Sequence, residues 1–145
     1  MQTFLPYSNF EKCAYVLDRK RLGKQRVECL QILQTIFDNR KSWANHPAVN
    51  MWRGHEFYLF AYMKKICERW ISYGYKDSCL KKAKELVTKN RAKYLSSSKN
   101  YPSWLCGEKI FESHKSNLLR KNPEHYSKFF GDISSSIPYF WPCEN

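Results

Sequence analysis

The most informative stretch of the sequence is Leu17-Asp18-Arg19-Lys20-Arg21-Leu22-Gly23-Lys24-Gln25-Arg26-Val27-Glu28. It contains five basic residues, one glycine and a carboxylate at its far end. Residues three, four and seven positions apart lie on one side of a helix. On that spacing, the side opposite Leu30 and Leu33 is polar and comprises Arg21, Lys24, Gln25, Glu28 and Gln31.

The polar side has two interpretations. In the first, it is a solvated helix face on which Lys24 and Glu28 form an exposed ion pair worth roughly a few tenths of a kcal/mol. In the second, Glu28 is a carboxylate set among cations at the edge of a surface that faces a polyanion. The pattern alone does not separate the two.

Helical periodicity continues on both sides of Gly23. The motif Ser8-Asn9-Phe10-Glu11 has the form of a capping box, so a helix is expected to begin at Asn9. After Gly23 the apolar stripe moves to a different face. The segment is therefore either one kinked helix or two helices that meet near Gly23, where the absent side chain lets a phosphate or a second helix come close.

The overall charge points to a polyanionic partner. The chain of 145 residues has 25 Lys and Arg against 13 Asp and Glu, which gives a net charge of +12. Nucleic acid is the first candidate and an anionic membrane surface the second. The membrane interpretation is weaker, because no apolar run approaches about 18 residues. The length suits one domain, expected to span residues 1–145.

The cysteines indicate a reducing compartment rather than a disulfide framework. The N-terminus Met-Gln-Thr-Phe-Leu-Pro lacks the features of a signal peptide, so we expect an intracellular protein, in the cytoplasm or nucleoid or in a host cell if it is viral. No CxxC pair occurs, and most cysteines are expected to be small core residues. A zinc site from scattered ligands stays open, but no metal and no cofactor is predicted. The cysteines are Cys13, Cys29, Cys67, Cys79, Cys106 and Cys143.

The middle of the chain predicts the core. Asn45-His46-Pro47 has the pattern of a helix start, with Asn45 as the cap. A long amphipathic run follows to Gly74 and is expected to be the central helix. Glu56 lies on its apolar stripe and would need a partner if buried. Asp77 or Ser78 can cap another helix, which is expected to fade into a polar loop at residues 96–100.

The last third predicts helices and an extended tail. Residues 108–120 have helical character, and Asn122-Pro123-Glu124 is expected to start a short helix. The tail Ile137-Pro138-Tyr139-Phe140-Trp141-Pro142 cannot be helical, and its aromatic side chains are expected to pack onto the domain. No alternating strand pattern is present. The predicted fold class is all-α, a compact single-domain helical bundle with irregular loops and an extended aromatic C-terminal tail.

Several of these segments resemble a known family. Asp18-Arg19, Leu22 and Glu28, followed by Leu30, resemble the first-helix signature of the pyrimidine-dimer DNA glycosylases, the small bacteriophage-type enzymes also called endonuclease V. The residues from Gly54-His55-Glu56-Phe57-Tyr58 to Arg69-Trp70-Ile71-Ser72-Tyr73-Gly74-Tyr75-Lys76-Asp77 are similar to the family's central helix and its exit. Glu124-His125-Tyr126-Ser127-Lys128-Phe129-Phe130-Gly131 is similar to its aromatic segment. The chain also resembles a less characterised branch whose members begin Met-Gln-Thr-Phe-Leu-Pro-Tyr.

The resemblance implies a monomeric enzyme that bends double-stranded DNA, removes a damaged or modified pyrimidine and cleaves at the abasic site. The family's nucleophile is the α-amine of the chain, here that of Met1, and its essential carboxylate is here Glu28. Alpha-amines of model compounds titrate near 7.7–8.0, so a useful fraction is unprotonated at neutral pH. Such an amine can attack C1′ and form an imine, while the carboxylate stabilises charge and moves protons.

Further site residues follow from the resemblance and the charge pattern. We expect DNA contacts from Arg19, Arg21, Lys24, Gln25, Arg26, Lys115, Arg120, Lys121, Tyr126 and Lys128. A base pocket could include Gln2, Thr3, His46, His55 and Glu56, although both histidines also fit structural roles.

The chain departs from the family's pattern at two positions. Val27 stands where the family usually has an arginine before the glutamate, so we expect that phosphate contact to be displaced or to be supplied by another residue, such as Arg21 or Lys24. Gln2 is bulky, so Met1 is expected to be retained and to provide the amine.

Two other hypotheses remain: a non-catalytic nucleic-acid-binding domain, and an enzyme of the same fold that acts on another base modification or on RNA.

Overall fold

The computed structural model describes residues 1–142 of the chain, and Cys143 lies outside this part. The described part is built from eight α-helices and one 3-10 turn, without a strand, which confirms the all-α prediction. The helices are α1 Phe10–Val16, α2 Arg19–Phe37, α3 Pro47–Asn50, α4 Glu56–Ser72, α5 Cys79–Lys89, α6 Arg91–Ser97, α7 Glu108–Lys121 and α8 Pro123–Phe130. The 3-10 turn is Ser103–Cys106.

The first two helices meet at Asp18, and the prediction that they meet near Gly23 is wrong. Asp18 has an extended backbone and precedes α2. Its backbone N–H donates to the Tyr126 hydroxyl at 3.0 Å, and that hydroxyl donates in turn to the Asp18 carboxylate. The cap of α1 is Asn9, whose side chain accepts from the Lys12 N–H. The helix therefore begins one residue later than the capping box predicted.

Gly23 lies inside α2, where it lets a second helix come close. A Cβ atom at this position would lie 2.9 Å from Cζ3 of Trp70 on α4. The indole is held by a hydrogen bond to the Lys76 carbonyl at 3.0 Å and by the Arg26 guanidinium, 4.4 Å above the ring. Of the two reasons offered for the glycine, close approach of a helix is the one that the fold uses.

The core lies where α2 packs against α4 and α5, and α1 packs against α4. Fully buried aliphatic side chains fill it, among them Leu22, Leu33, Leu59 and Met63. Four of the five cysteines in residues 1–142 are buried and none of the five is paired, as expected for core residues, whereas Cys106 is exposed. Among the helices of this part, none is long and apolar enough to cross a membrane.

Three predicted boundaries in the middle of the chain need correction. The cap of α3 is His46 rather than Asn45, because the His46 ring accepts from the Ala48 N–H at 3.0 Å. The central helix begins only at Glu56. A separate helix, α6, occupies part of the expected loop. The buried Glu56 does find a cation, since Lys93 Nζ lies 3.9 Å from its carboxylate.

The last third of the described residues agrees with the prediction. Asn122 caps α8 through the His125 N–H, and the tail packs against α7 in an extended form. The tail is hydrogen-bonded to two serines of α7: Ser116 accepts from the Ile137 N–H at 2.9 Å, and Ser113 accepts from the Phe140 N–H at 3.2 Å. These contacts bring the tail beside the N-terminus.

Candidate active site

The N-terminal segment runs through the protein interior, with residues 2–5 all buried. Such a segment belongs to no helix or sheet, so its backbone polar groups need other partners. Four consecutive backbone N–H groups donate to side chains. Gln2 N–H donates to Glu28 Oε2 at 3.0 Å, and Thr3 N–H to Gln2 Oε1 at 2.8 Å. The next two donate to side chains of α2 and α7, Phe4 to Gln25 Oε1 and Leu5 to His114 Nδ1, both at 2.8 Å.

The remaining polar groups of this segment are also held by side chains. Gln25 Nε2 donates to the Gln2 carbonyl at 2.6 Å, so one glutamine amide binds two backbone groups of the segment. The Tyr62 hydroxyl donates to the Phe4 carbonyl at 2.6 Å. Trp52 Nε1 donates to the Thr3 hydroxyl at 2.9 Å. The N-terminus is therefore fixed from α2, α4, α7 and the turn before α4.

This anchoring puts the α-amine of Met1 close to Glu28. The Gln2 nitrogen is 3.0 Å from the Glu28 carboxylate, and the α-amine is one residue away, at most about 3.8 Å from that nitrogen. The amine thus lies within about 7 Å of the carboxylate, a separation that a sugar carbon can bridge. Met1 is half-buried rather than enclosed.

Met1 and Glu28 both line a cleft of about 370 Å³. Its rim is cationic, with Lys20, Arg21, Lys24 and Lys121 on it. Lys24 Nζ lies 3.7 Å from Glu28, and the lysine side chain is 72% exposed while that of the glutamate is 11% exposed. The cleft therefore brings one buried carboxylate together with the N-terminal residue, and positive charges lie around them. The full lining is Met1, Gln2, Phe4, Lys20, Arg21, Lys24, Gln25, Glu28, Lys121 and Tyr139.

Two histidines report on the surroundings of this cleft. Burial, together with the nearby α-ammonium, lowers the pKa of His46, while Glu28 acts in the opposite direction. The His46 ring is therefore close enough to interact electrostatically with both the N-terminus and Glu28. Burial lowers the pKa of His114 to about 3. His114 is therefore neutral at physiological pH, which leaves its Nδ1 free to accept from the Leu5 N–H.

Some of the residues expected to contact DNA line the cleft, and others do not. Arg21 and Lys24, the candidates for the phosphate contact that Val27 cannot make, line it, and so does Lys121. Gln25 is only 1% exposed and holds the N-terminus, so it is not available to DNA. Arg26 is not available to DNA either, because its side chain forms a largely buried ion pair with Asp77 and lies against the face of the Trp70 ring.

The remaining expected contacts, on α7, α8 and the start of α2, fall into three groups. Tyr126 is fully buried and hydrogen-bonded to Asp18, so it too is not offered to DNA. Arg120 is bound to the tail through the Ile137 carbonyl at 3.0 Å, and Lys115 lies over the Tyr7 ring. Lys128 is exposed, as is Arg19, which donates to the Tyr75 hydroxyl away from the cleft.

The expected base-pocket residues are also divided. Gln2 lines the cleft, Thr3 is buried behind it, and His46 lies within reach of its charges. His55 is placed elsewhere, with Nδ1 2.7 Å from the Asn100 carbonyl. Glu56 lines a separate cavity beside Lys93. The structure thus does not bring His55 and Glu56 together with Met1.

Sequence reasoning missed three residues of the cleft, namely Phe4, Lys20 and Tyr139. Lys20 lies one turn before Lys24 and two before Glu28, so extending the same spacing backwards would have found it. Tyr139 comes from the tail, and no local pattern connects it with α2. The anchoring role of His114 was missed for the same reason, since its partner Leu5 is 109 positions away.

Comparison with known proteins found one match. A family model described as pyrimidine dimer DNA glycosylase matches residues 1–83. Searches of curated proteins and of solved structures found no match. The matched segment is more than half of the chain, and it contains the buried N-terminus, α2 with Glu28, and α4. This chain therefore belongs to the pyrimidine dimer DNA glycosylase family.

Proposed function

We propose that this protein is a glycosylase and abasic-site lyase that acts on damaged or modified pyrimidines in double-stranded DNA, as a monomer, through the α-amine of Met1. The observation that carries the proposal is the anchoring of the N-terminus beside Glu28. Fixing four successive N–H groups, three of them with side chains of α2 and α7, costs conformational entropy that a free terminus would keep. A chain end held in this way at the base of a cationic cleft is pre-organised for chemistry.

The α-amine is the best nucleophile in the cleft. Lysine ε-amines also line it, at Lys20, Lys24 and Lys121. As a class, α-amines lose their proton far more readily than lysine side chains, so a larger fraction is reactive at neutral pH. The three lysines are exposed, whereas the position of Met1 is set by the segment that follows it.

The reaction divides between the amine and the carboxylate. The amine nitrogen attacks C1′, the glycosidic C1′–N bond breaks, and the base leaves with the bonding electrons. Loss of the amine proton and opening of the sugar ring give an iminium between Met1 and C1′. Glu28 then accepts the C2′ proton, the C–H electrons move toward the iminium, and the C3′–O bond breaks as the phosphate leaves. Water finally hydrolyses the imine and restores the amine.

The rest of the cleft would position the DNA. The basic side chains of Lys20, Arg21, Lys24 and Lys121 surround Glu28 and are suited to phosphates on either side of the reacting sugar. Neutralising those phosphates on one face lowers the cost of bending the duplex toward the protein. Lys24 Nζ lies 3.7 Å from the Glu28 carboxylate, which is oriented by the Gln2 N–H.

The proposal is tested with protein that carries a free N-terminus. Duplexes with a cyclobutane pyrimidine dimer, an abasic site or a modified pyrimidine are offered, and strand cleavage is scored together with adducts trapped by borohydride. We expect both products from the wild type and a loss of about 100-fold or more in Glu28→Gln. A protein that binds these duplexes but gives neither product, with or without Glu28, would instead be a non-catalytic binding domain.

A further inference from the structure

A row of aromatic rings leads outward from the cleft. Tyr139 lines the cleft, and its ring centroid lies 5.6 Å from that of Trp141. The Trp141 ring meets His46 edge-to-face at 6.0 Å, and His46 meets Trp43 in the same way at 5.6 Å. The row thus connects the reacting groups with Trp43 at the protein surface.

Trp43 is unusual in both exposure and backbone conformation. Its side chain is 53% exposed, whereas Trp52 is fully buried. Its φ angle is +66°, in the left-handed region that bulky side chains rarely adopt. Packing does not account for this, because an indole that served the core would be covered. Strained residues that persist in a fold are concentrated at functional sites.

The surrounding loop holds the indole in place. The Trp43 carbonyl accepts from the His46 N–H at 2.9 Å. The Arg53 guanidinium donates to the Ala44 carbonyl at 2.7 Å, and the Asn50 amide donates to the Asn45 carbonyl at 3.2 Å. The ring is therefore presented to solvent by a braced loop rather than by a flexible one, at low entropic cost for a ligand that stacks on it.

We propose that the Trp43 indole stacks on a base of the bent duplex, at the base step that opens beside the reacting nucleotide. This inference rests on the proposed function. Cations at the cleft rim would take the phosphates, while an opened step exposes an apolar base face that needs a planar partner. The exposed indole at the outer end of the aromatic row supplies such a face, and every base can stack on it. Proteins that kink DNA use inserted apolar side chains in this way.

The test measures binding without chemistry. The duplex contains a tetrahydrofuran abasic analogue, which cannot form an imine, and 2-aminopurine in the flanking position. Wild-type protein is compared with Trp43→Phe and Trp43→Gly. Tyr101→Ala serves as the control, because Tyr101 is 48% exposed but packs on Tyr58 instead of the aromatic row. Thermal midpoints of all four proteins are recorded.

Glycine removes both the ring and the backbone strain. Trp43→Gly is expected to weaken binding about tenfold and to abolish the 2-aminopurine fluorescence change, with no fall in thermal midpoint. Trp43→Phe and the control are expected to stay within about threefold of the wild type. Wild-type affinity and fluorescence in Trp43→Gly would overturn the inference. That result would not bear on adduct formation, so the proposed function would stand. Conversely, if the wild type forms no adduct but shows the Trp43-dependent fluorescence change, only the enzymatic proposal is refuted.

Discussion

Replacing Gln25 with leucine should release the N-terminus from the active site. Leucine has similar bulk but cannot bind the Phe4 N–H or the Gln2 carbonyl, both of which depend on Gln25. The site is 1% exposed, so water does not easily replace the lost partners. Each orphaned buried group costs about 1–3 kcal/mol, so two cost about 2–6 kcal/mol. The Phe4 carbonyl keeps its bond from Tyr62.

This cost is a large part of the stability of a small domain, which is typically about 5–15 kcal/mol. We therefore expect the thermal midpoint of Gln25→Leu to fall by roughly 10 °C. We also expect the N-terminal segment to detach more often, so that the borohydride-trapped adduct falls more steeply than DNA affinity does. The assay compares urea unfolding, adduct yield and binding of an abasic duplex.

Gln31→Leu provides a matched control. Gln31 lies on the same helix but is exposed, so its replacement is expected to change stability by no more than about 0.5 kcal/mol. A Gln25→Leu protein with the control's stability and wild-type adduct yield would refute the reasoning that this amide positions the amine.

Three further predictions concern stability and charge. The pKa of His114 is about 3 in the folded protein and near 6.5 in an unfolded chain, so the free energy of unfolding should fall by up to about 1.4 kcal/mol for each pH unit below about 6.5. His114→Gln keeps an acceptor for the Leu5 N–H and should show a shallower pH dependence of stability in urea titrations; equal slopes in the two proteins would contradict this. Arg26→Ala should lower the free energy of unfolding by about 3 kcal/mol without changing the salt dependence of DNA binding. Lys24→Ala should instead leave stability nearly unchanged and lower by about 0.9 the slope of log binding constant against log salt concentration; the reverse pattern would place Arg26 on the DNA. Gly23→Ala should lower the free energy of unfolding by about 1 kcal/mol or more, measured in urea, because the new Cβ would lie 2.9 Å from the Trp70 ring. Alanine has the better helix propensity, so a stabilised variant would show that the indole moves freely.

The features that the sequence predicted are those that depend on neighbours along the chain. The helical spacing of Lys24 and Glu28 places them on one face whatever the rest of the fold does. The Asn122-Pro123 start of α8 is equally local, because the cap and its partner are three residues apart. The apolar stripe of α4 was visible for the same reason.

The misassigned residues all depend on distant partners. Gln25 shares the charged side of α2, and only the N-terminal segment that covers it turns it into an internal anchor. Arg26 was predicted to contact DNA because no residue near it in the sequence indicates its ion pair with Asp77, which is 51 positions away. The break at Asp18 is set by Tyr126 of α8, which no periodicity could indicate.

The most direct test of the account is to locate the trapped sugar on the protein. Untagged protein is incubated with a duplex that contains an abasic site, reduced with borohydride and digested, and the modified peptide is identified by mass spectrometry. Four amines line the cleft, those of Met1, Lys20, Lys24 and Lys121. The account predicts modification of the Met1 α-amine, and none in Glu28→Gln at equal exposure. An adduct on one of the lysines, or one that forms equally well without Glu28, would contradict it.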